Sequence, residues 1–157
     1  MTAHVNHRYA IGVERADGVL RCVRLDRTAL TGLDEAVAAV RGAGSSGTAY
    51  GLFNADESFF LILRVAPGAT ALFLSDAGAA HRHTLAAQAL DALRVAPPGD
   101  DAPGPRPAGD LGVLAGLGLG AEGMAAVLAG PDALPDTRLR EIAERCGFTA
   151  AFDRLRR

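Results

Sequence analysis

The chain has 157 residues, 18 acidic and 16 basic, for a net charge of -2, and all of its basic residues are arginine. That length suits one domain, or one domain with a small appendage, and is enough to bury a real core. The charge balance argues against a general nucleic-acid or membrane-surface binder, because neutralising phosphates takes clustered positive charge.

Tyr9, Ile11 and Val13 alternate with Ala10, Gly12 and Glu14, the period-two pattern of a half-buried strand. Asp17-Gly18 is a hairpin turn signal, and Val19 to Leu25 returns as a second strand with Val19, Val23 and Leu25 on one face. Leu33, Ala36, Val37 and Val40 fall on one helical stripe within Thr31 to Arg41, with Thr31 as cap and Gly42 as stop. Gly44-Ser45-Ser46-Gly47 lacks the lysine of a phosphate-binding loop and reads as a connector. Thr48 to Phe53 is a third strand, and Asn54 to Glu57 turns the chain. Phe59 to Val65 is then a nearly continuous apolar run, suited to a central strand covered on both faces. Pro67-Gly68 turns into Thr70 to Leu74. Ser75 or Asp76 then caps a helix carrying Leu85, Ala86, Ala89, Leu90 and Leu93.

The expected class is α+β, with a five-stranded antiparallel sheet in ββαβββα order over residues 8–95. That order resembles the longin, roadblock and profilin-like topology. Residues 96–109, APPGDDAPGPRPAG, shift to proline, glycine and aspartate and read as a linker. Residues 110–157 are expected to form a small helical domain. Asp110 would cap a short helix with Leu111, Leu114 and Leu117; Met124, Val127 and Leu128 line a second, stopped by Gly130-Pro131. Pro135 or Asp136 opens a third with Leu139, Ile142, Ala143 and Cys146, capped by Gly147, before Phe148, Phe152 and Leu155. So small a unit is expected to dock on the sheet, on a partner, or on a second copy in a homodimer. Its candidate interaction surface is Leu111, Leu114, Leu117, Met124, Leu128, Phe148 and Phe152.

Motifs that could carry chemistry have simpler structural readings. Gly118-Leu119-Gly120-Ala121-Glu122-Gly123 matches GxGxxG, yet a dinucleotide fingerprint needs a strand before it and a βαβ unit around it. His81 and His83, two residues apart, point away from each other on a regular helix and read as its polar face; His4 and His7 read as a leader. Ser75-Asp76 lacks a G-x-S-x-G elbow and reads as a cap. Asp56 and Glu57 read as solvated turn residues. Cys22 and Cys146 have no metal-ligand spacing and read as reduced thiols. Arg154, Arg156 and Arg157 read as a solvated basic tail. No catalytic residue, metal or cofactor is assigned. MTAHVNHRYA lacks the pattern of a signal peptide, and no apolar run approaches the ~20 residues that span a bilayer, so a cytoplasmic location is expected.

Two resemblances bear on function. Leu139 to Phe148, with its I-A-x-x-x-G-F run, is similar to the end of an AraC-type helix-turn-helix, which would imply a DNA-binding regulator. Phe152 follows too soon for that spacing, and no basic stripe accompanies it. Taken whole, from Tyr9 to Leu155, the chain resembles the tRNA adenosine deaminase-associated protein family of high-GC Gram-positive bacteria. The match rests on Asp56-Glu57-Ser58-Phe59-Phe60 running to Arg64-Val65, on Leu74-Ser75-Asp76, and on Gly109-Asp110-Leu111-Gly112. Leu117-Gly118-Leu119, Leu134-Pro135, Ala143, Gly147-Phe148 and Phe152 complete it. That resemblance implies a tRNA adenosine deaminase as partner and brings no catalytic residues. The chain has neither the H-x-E nor the P-C-x-x-C of a zinc deaminase. A non-enzymatic accessory protein is the expectation, with the DNA-binding regulator as alternative.

Overall fold

Alternation along the strands sorts their side chains onto two faces, and both faces are covered. The computed structural model describes residues 8–44, 47–99, 104–131 and 134–157. Its strands are β1 (Arg8–Ala16), β2 (Val19–Arg24), β3 (Ala49–Ala55), β4 (Phe59–Ala66), β5 (Ala69–Leu74) and β6 (Ala108–Gly109). They form one antiparallel sheet in the order β2-β1-β3-β4-β5-β6. The class is α+β as expected, but the sheet has six strands and not five. The sixth comes from the end of the segment read as a linker, where alanine and glycine let the chain lie flat against β5. Ser45, Ser46, Asp100 and Asp101, like His4 and His7, fall outside the described residues.

The helices are α1 (Leu33–Ala43), α2 (Thr84–Leu93), α3 (Ala121–Leu128), α4 (Pro135–Cys146) and α5 (Thr149–Leu155). On one face Ala10, Phe53, Leu61, Leu63 and Leu72 pack with Val40 of α1 and Leu85, Ala89 and Leu90 of α2. On the other, Tyr9, Ile11, Leu52, Phe60, Ile62 and Phe73 pack with Met124 of α3, Leu139 and Ile142 of α4 and Phe152 of α5. The continuous apolar run of β4 is therefore covered on both sides, as its composition requires. β1 departs from the half-buried reading: Tyr9 to Val13 are all buried, because α1 closes the face on which Ala10 and Gly12 lie. Residues 110–157 lay their apolar side on the sheet, so both faces belong to one packed body.

Local corrections have local causes. Thr31 does not cap α1. Asp26 caps a preceding 3-10 turn, Arg27–Leu30, and the Thr31 hydroxyl donates to the Thr28 carbonyl. The first turn of α1 is served instead by Gln88 of α2, whose Oε1 accepts from Leu33 N at 2.7 Å. Gly42 does not stop α1, which ends against Gly44. Asp76 caps only a second 3-10 turn, Ala77–His81, and α2 starts afresh at Thr84. Asp110 closes a side-chain turn onto Gly112 N (2.8 Å), leading to a 3-10 turn at Ala115–Leu117 in place of an α-helix. Three glycines, Gly112, Gly116 and Gly118, make a regular helix costly there. Of the β2 side chains expected to share a face, only the following Leu25 is buried; Val19 and Val23 are 63% and 44% exposed. α1 lies over β1, β3 and β4 and leaves this edge uncovered.

Candidate functional site

Polar side chains converge inside the molecule where α4 meets the sheet. The β3–β4 turn places Asp56 and Glu57 at φ of 58° and 59°, a left-handed conformation that costs a non-glycine residue about 1–3 kcal/mol. Asn54, fully buried on β3, holds that turn: its Nδ2 donates to Glu57 Oε1 at 2.7 Å and its Oδ1 accepts from Glu57 N at 3.1 Å. Glu57 Oε1 also accepts from Asp136 N (3.0 Å), so the strained turn caps the first turn of α4. Glu57 is thus a structural cap and not a solvated turn residue.

Asp136 in turn accepts from the Tyr9 hydroxyl at 2.7 Å and from the Arg156 guanidinium. Arg156 reaches on to Asp153 at 3.5 Å, and Arg140 clasps both Asp153 oxygens at 3.0 Å each. The Phe152 ring meets Tyr9 edge-on at 5.8 Å, with the Arg156 guanidinium 5.6 Å from its centre. Burial and the hydrogen bond to Asp136 push the Tyr9 phenol far above its ordinary pKa, so it stays protonated as a donor. The Arg140 guanidinium holds the Asp153 carboxyl below the usual range. Arg156 Nε is buried without a hydrogen-bond partner; the bonds that are made join α4 to the sheet and α5 to α4. What the arrangement does chemically is hold.

The other candidates have equally local partners. The Ser75 hydroxyl accepts from Phe60 N at 2.8 Å, and Asp76 Oδ1 accepts from Gly78 N and Arg106 N. His81 Nε2 sits 2.7 Å from the Pro98 carbonyl oxygen, so Asp76 and His81 hold Arg106 and Pro98 against the 3-10 turn that follows β5. His83 packs on Phe59 at 5.2 Å and lines a 340 Å³ cleft with Arg8, Asp56 and Arg82. Gly118 ends a 3-10 turn, Gly120 precedes α3 and Gly123 lies within it, with no strand leading in. Burial pushes the Cys146 thiol up to about 11, and Cys22 upward as well. Among the described residues there is no cluster of three or more His, Cys, Asp or Glu able to hold a metal, and no helix long and apolar enough to cross a membrane.

Five of the seven residues expected to form an interaction surface, Leu114, Leu117, Met124, Phe148 and Phe152, are buried in the core between the helices and the sheet. Leu111 and Leu128 are half-buried and line a 270 Å³ groove beside β6. In the helix-turn-helix-like segment Leu139, Ile142 and Phe148 are buried and Arg140 is paired with Asp153; beyond it Phe152 is buried and Arg156 is paired with Asp136. Nothing in that geometry favours DNA. The reading as a solvated basic tail also fails for Arg156, which is largely buried. The Tyr9–Asp136–Glu57–Asn54 junction escaped the sequence reading because Asn54 stands in a stretch that looks like turn chemistry, and no local pattern couples residue 9 to residue 136.

Comparison with known proteins agrees with the resemblance. No solved structure matches this chain. Protein Rv3753c of Mycobacterium tuberculosis is 37% identical over 155 residues, covering 95% of this chain and 90% of the relative. The model of the Rv3753c-like tRNA adenosine deaminase-associated proteins matches residues 8–149, a span containing Tyr9, Asn54, Glu57 and Asp136. The chain belongs to the Rv3753c-like tRNA adenosine deaminase-associated protein family.

Proposed function

We propose that this protein is a non-enzymatic accessory factor that works in the cytoplasm through contacts with a tRNA adenosine deaminase. The family description supplies the deaminase link. The observation that carries the non-catalytic part is the junction around Asp136, where the hydrogen bonds of the convergent polar groups join α4 to the sheet and α5 to α4. The chain's sequence also lacks the H-x-E and P-C-x-x-C residues with which a zinc deaminase holds its metal and its general acid. The ββαβββα order through α2 supports a longin- or roadblock-like shape for residues 8–95, though a fold of that kind carries no activity by itself. The test is affinity purification of the tagged protein, expressed at its native level, from its own cells. Enrichment of the deaminase is expected, and its absence under gentle, low-salt conditions would sink the reading.

A further inference from the structure

The two edges of the sheet are built differently. β6 is two residues long and follows Pro107, so it offers little to a further strand. β2 is six residues long and closes the other side. Its turn, Asp17-Gly18 at φ of 53° and 77°, pairs Ala16 with Val19, and Leu25 N donates to the Ala10 carbonyl at 2.8 Å. Alternation along an antiparallel ladder then directs the backbone groups of Val19, Arg21 and Val23 to β1. Those of Leu20, Cys22 and Arg24 point outward. This row of donors and acceptors is a template for another strand.

The side chains around that row say what kind of strand fits. Val19 and Val23 are exposed on one face of β2. On the other, Leu20 lines a 600 Å³ cleft with Phe148 and Ala151, between the β1–β2 hairpin and the α4–α5 corner. Arg15 and Arg154 flank this cleft, and the Arg21 side chain is 67% exposed. Arg24 extends its guanidinium to the carbonyls of Leu155 and Arg157. Glu14 lies beside Arg21 at 4.0 Å, and Asp17 stands at the turn. The edge is thus positive in a chain whose net charge is negative. Pairing with a second copy would bring two arginine-bearing edges together, whereas an acidic strand would neutralise this one.

The geometry points to β2 as the docking edge for an extended, acidic segment of a partner protein, added to the sheet as a seventh strand. Backbone hydrogen bonds supply the attachment. Apolar side chains at alternate positions lie beside Val19 and Val23, and carboxylates at the intervening positions face Arg15, Arg24 and Arg154 on the Leu20 side. The inference does not depend on the deaminase being the protein that provides the segment.

The test uses the full chain and a synthetic peptide of alternating valine and glutamate. Binding should slow amide exchange at Leu20 and Cys22 by about tenfold or more. A lysine-for-glutamate peptide, and one methylated at alternate backbone nitrogens, should each bind at least about tenfold more weakly. The double substitution Arg15→Glu and Arg154→Glu should reverse the preference toward the lysine peptide. The inference is overturned by no binding at millimolar peptide, by binding that leaves both amides unprotected, or by equal affinity for the two charge forms. Sedimentation showing a dimer of the free chain with those amides already protected would assign the edge to a second copy instead.

Discussion

The Tyr9 hydroxyl donates to the Asp136 carboxylate at 2.7 Å, joining β1 to the first turn of α4 across 127 positions of sequence. Asp136 also accepts from the Arg156 guanidinium, so the same side chain ties β1 and the end of α5 to α4. Tyr9→Phe keeps the ring against Phe152 and deletes only the donor. A loss of about 1–3 kcal/mol in urea unfolding is expected, with the helical content unchanged. A change of only a few tenths would mean that Arg156 alone satisfies the carboxylate.

The same cluster sets both flanks of the pH profile. Asp153 has its folded pKa depressed, chiefly by the hydrogen bonds from Arg140, so the unfolded chain binds its proton more readily. Its contribution is present above the ordinary aspartate value of about 3.9 and is lost as pH falls through the lower folded value. Tyr9 has its folded pKa raised, first by burial. Its contribution is full below the ordinary tyrosine value of about 10 and declines as pH rises from there toward the folded value. Denaturant midpoints measured across pH should fall on both sides. Asp153→Asn should flatten the acid flank and Tyr9→Phe the alkaline one.

Gly109 adopts φ of 104°, and a Cβ there would press on the Leu72 carbonyl oxygen. Gly109→Ala should therefore lift β6 from β5 at a cost of about 1–3 kcal/mol. Amide exchange at Asp110, whose N–H donates to Leu72 O at 2.9 Å, should rise before any change at β3 or β4. Unchanged exchange at Asp110 would contradict this account of the edge.

Arg94 ends α2 in the left-handed region at φ of 59°, with its side chain exposed. Glycine occupies that conformation without strain. Arg94→Gly is expected to raise the thermal midpoint, corresponding to about 1 kcal/mol of added stability. A lower midpoint would show that the arginine side chain contributes more than its backbone strain costs.

Much of this architecture was legible from residue order because the determinants are local. Alternation marked β1, the Asp17-Gly18 turn led into β2, a continuous apolar run marked β4, the Pro67-Gly68 break separated it from β5, and Gly147 marked the end of α4, where it sits at φ of 90°. What escaped reading depends on partners distant in sequence. Ala108–Gly109 is a strand only because β5 has a free edge to receive it. Gln88 replaces a local cap for α1 from 55 residues away. Leu114, Met124 and Phe152 form an apolar stripe that sequence cannot assign to the chain's own sheet or to another molecule. The buried junction has no local signature at all, since Asn54, Glu57 and Asp136 each resemble ordinary turn or cap residues until the fold brings them together.

The covering of the sheet's second face has a consequence for the order of events during synthesis. Ile11, Leu52, Phe60 and Ile62 emerge early, but the helices that shield them, α4 and α5, occupy residues 135–155. Until those helices are translated, the growing chain presents a broad apolar sheet face to its surroundings, a liability for aggregation. Truncation before Pro135 would make that interim state permanent. Such a fragment should bind hydrophobic dye and associate, whereas the complete chain should do neither.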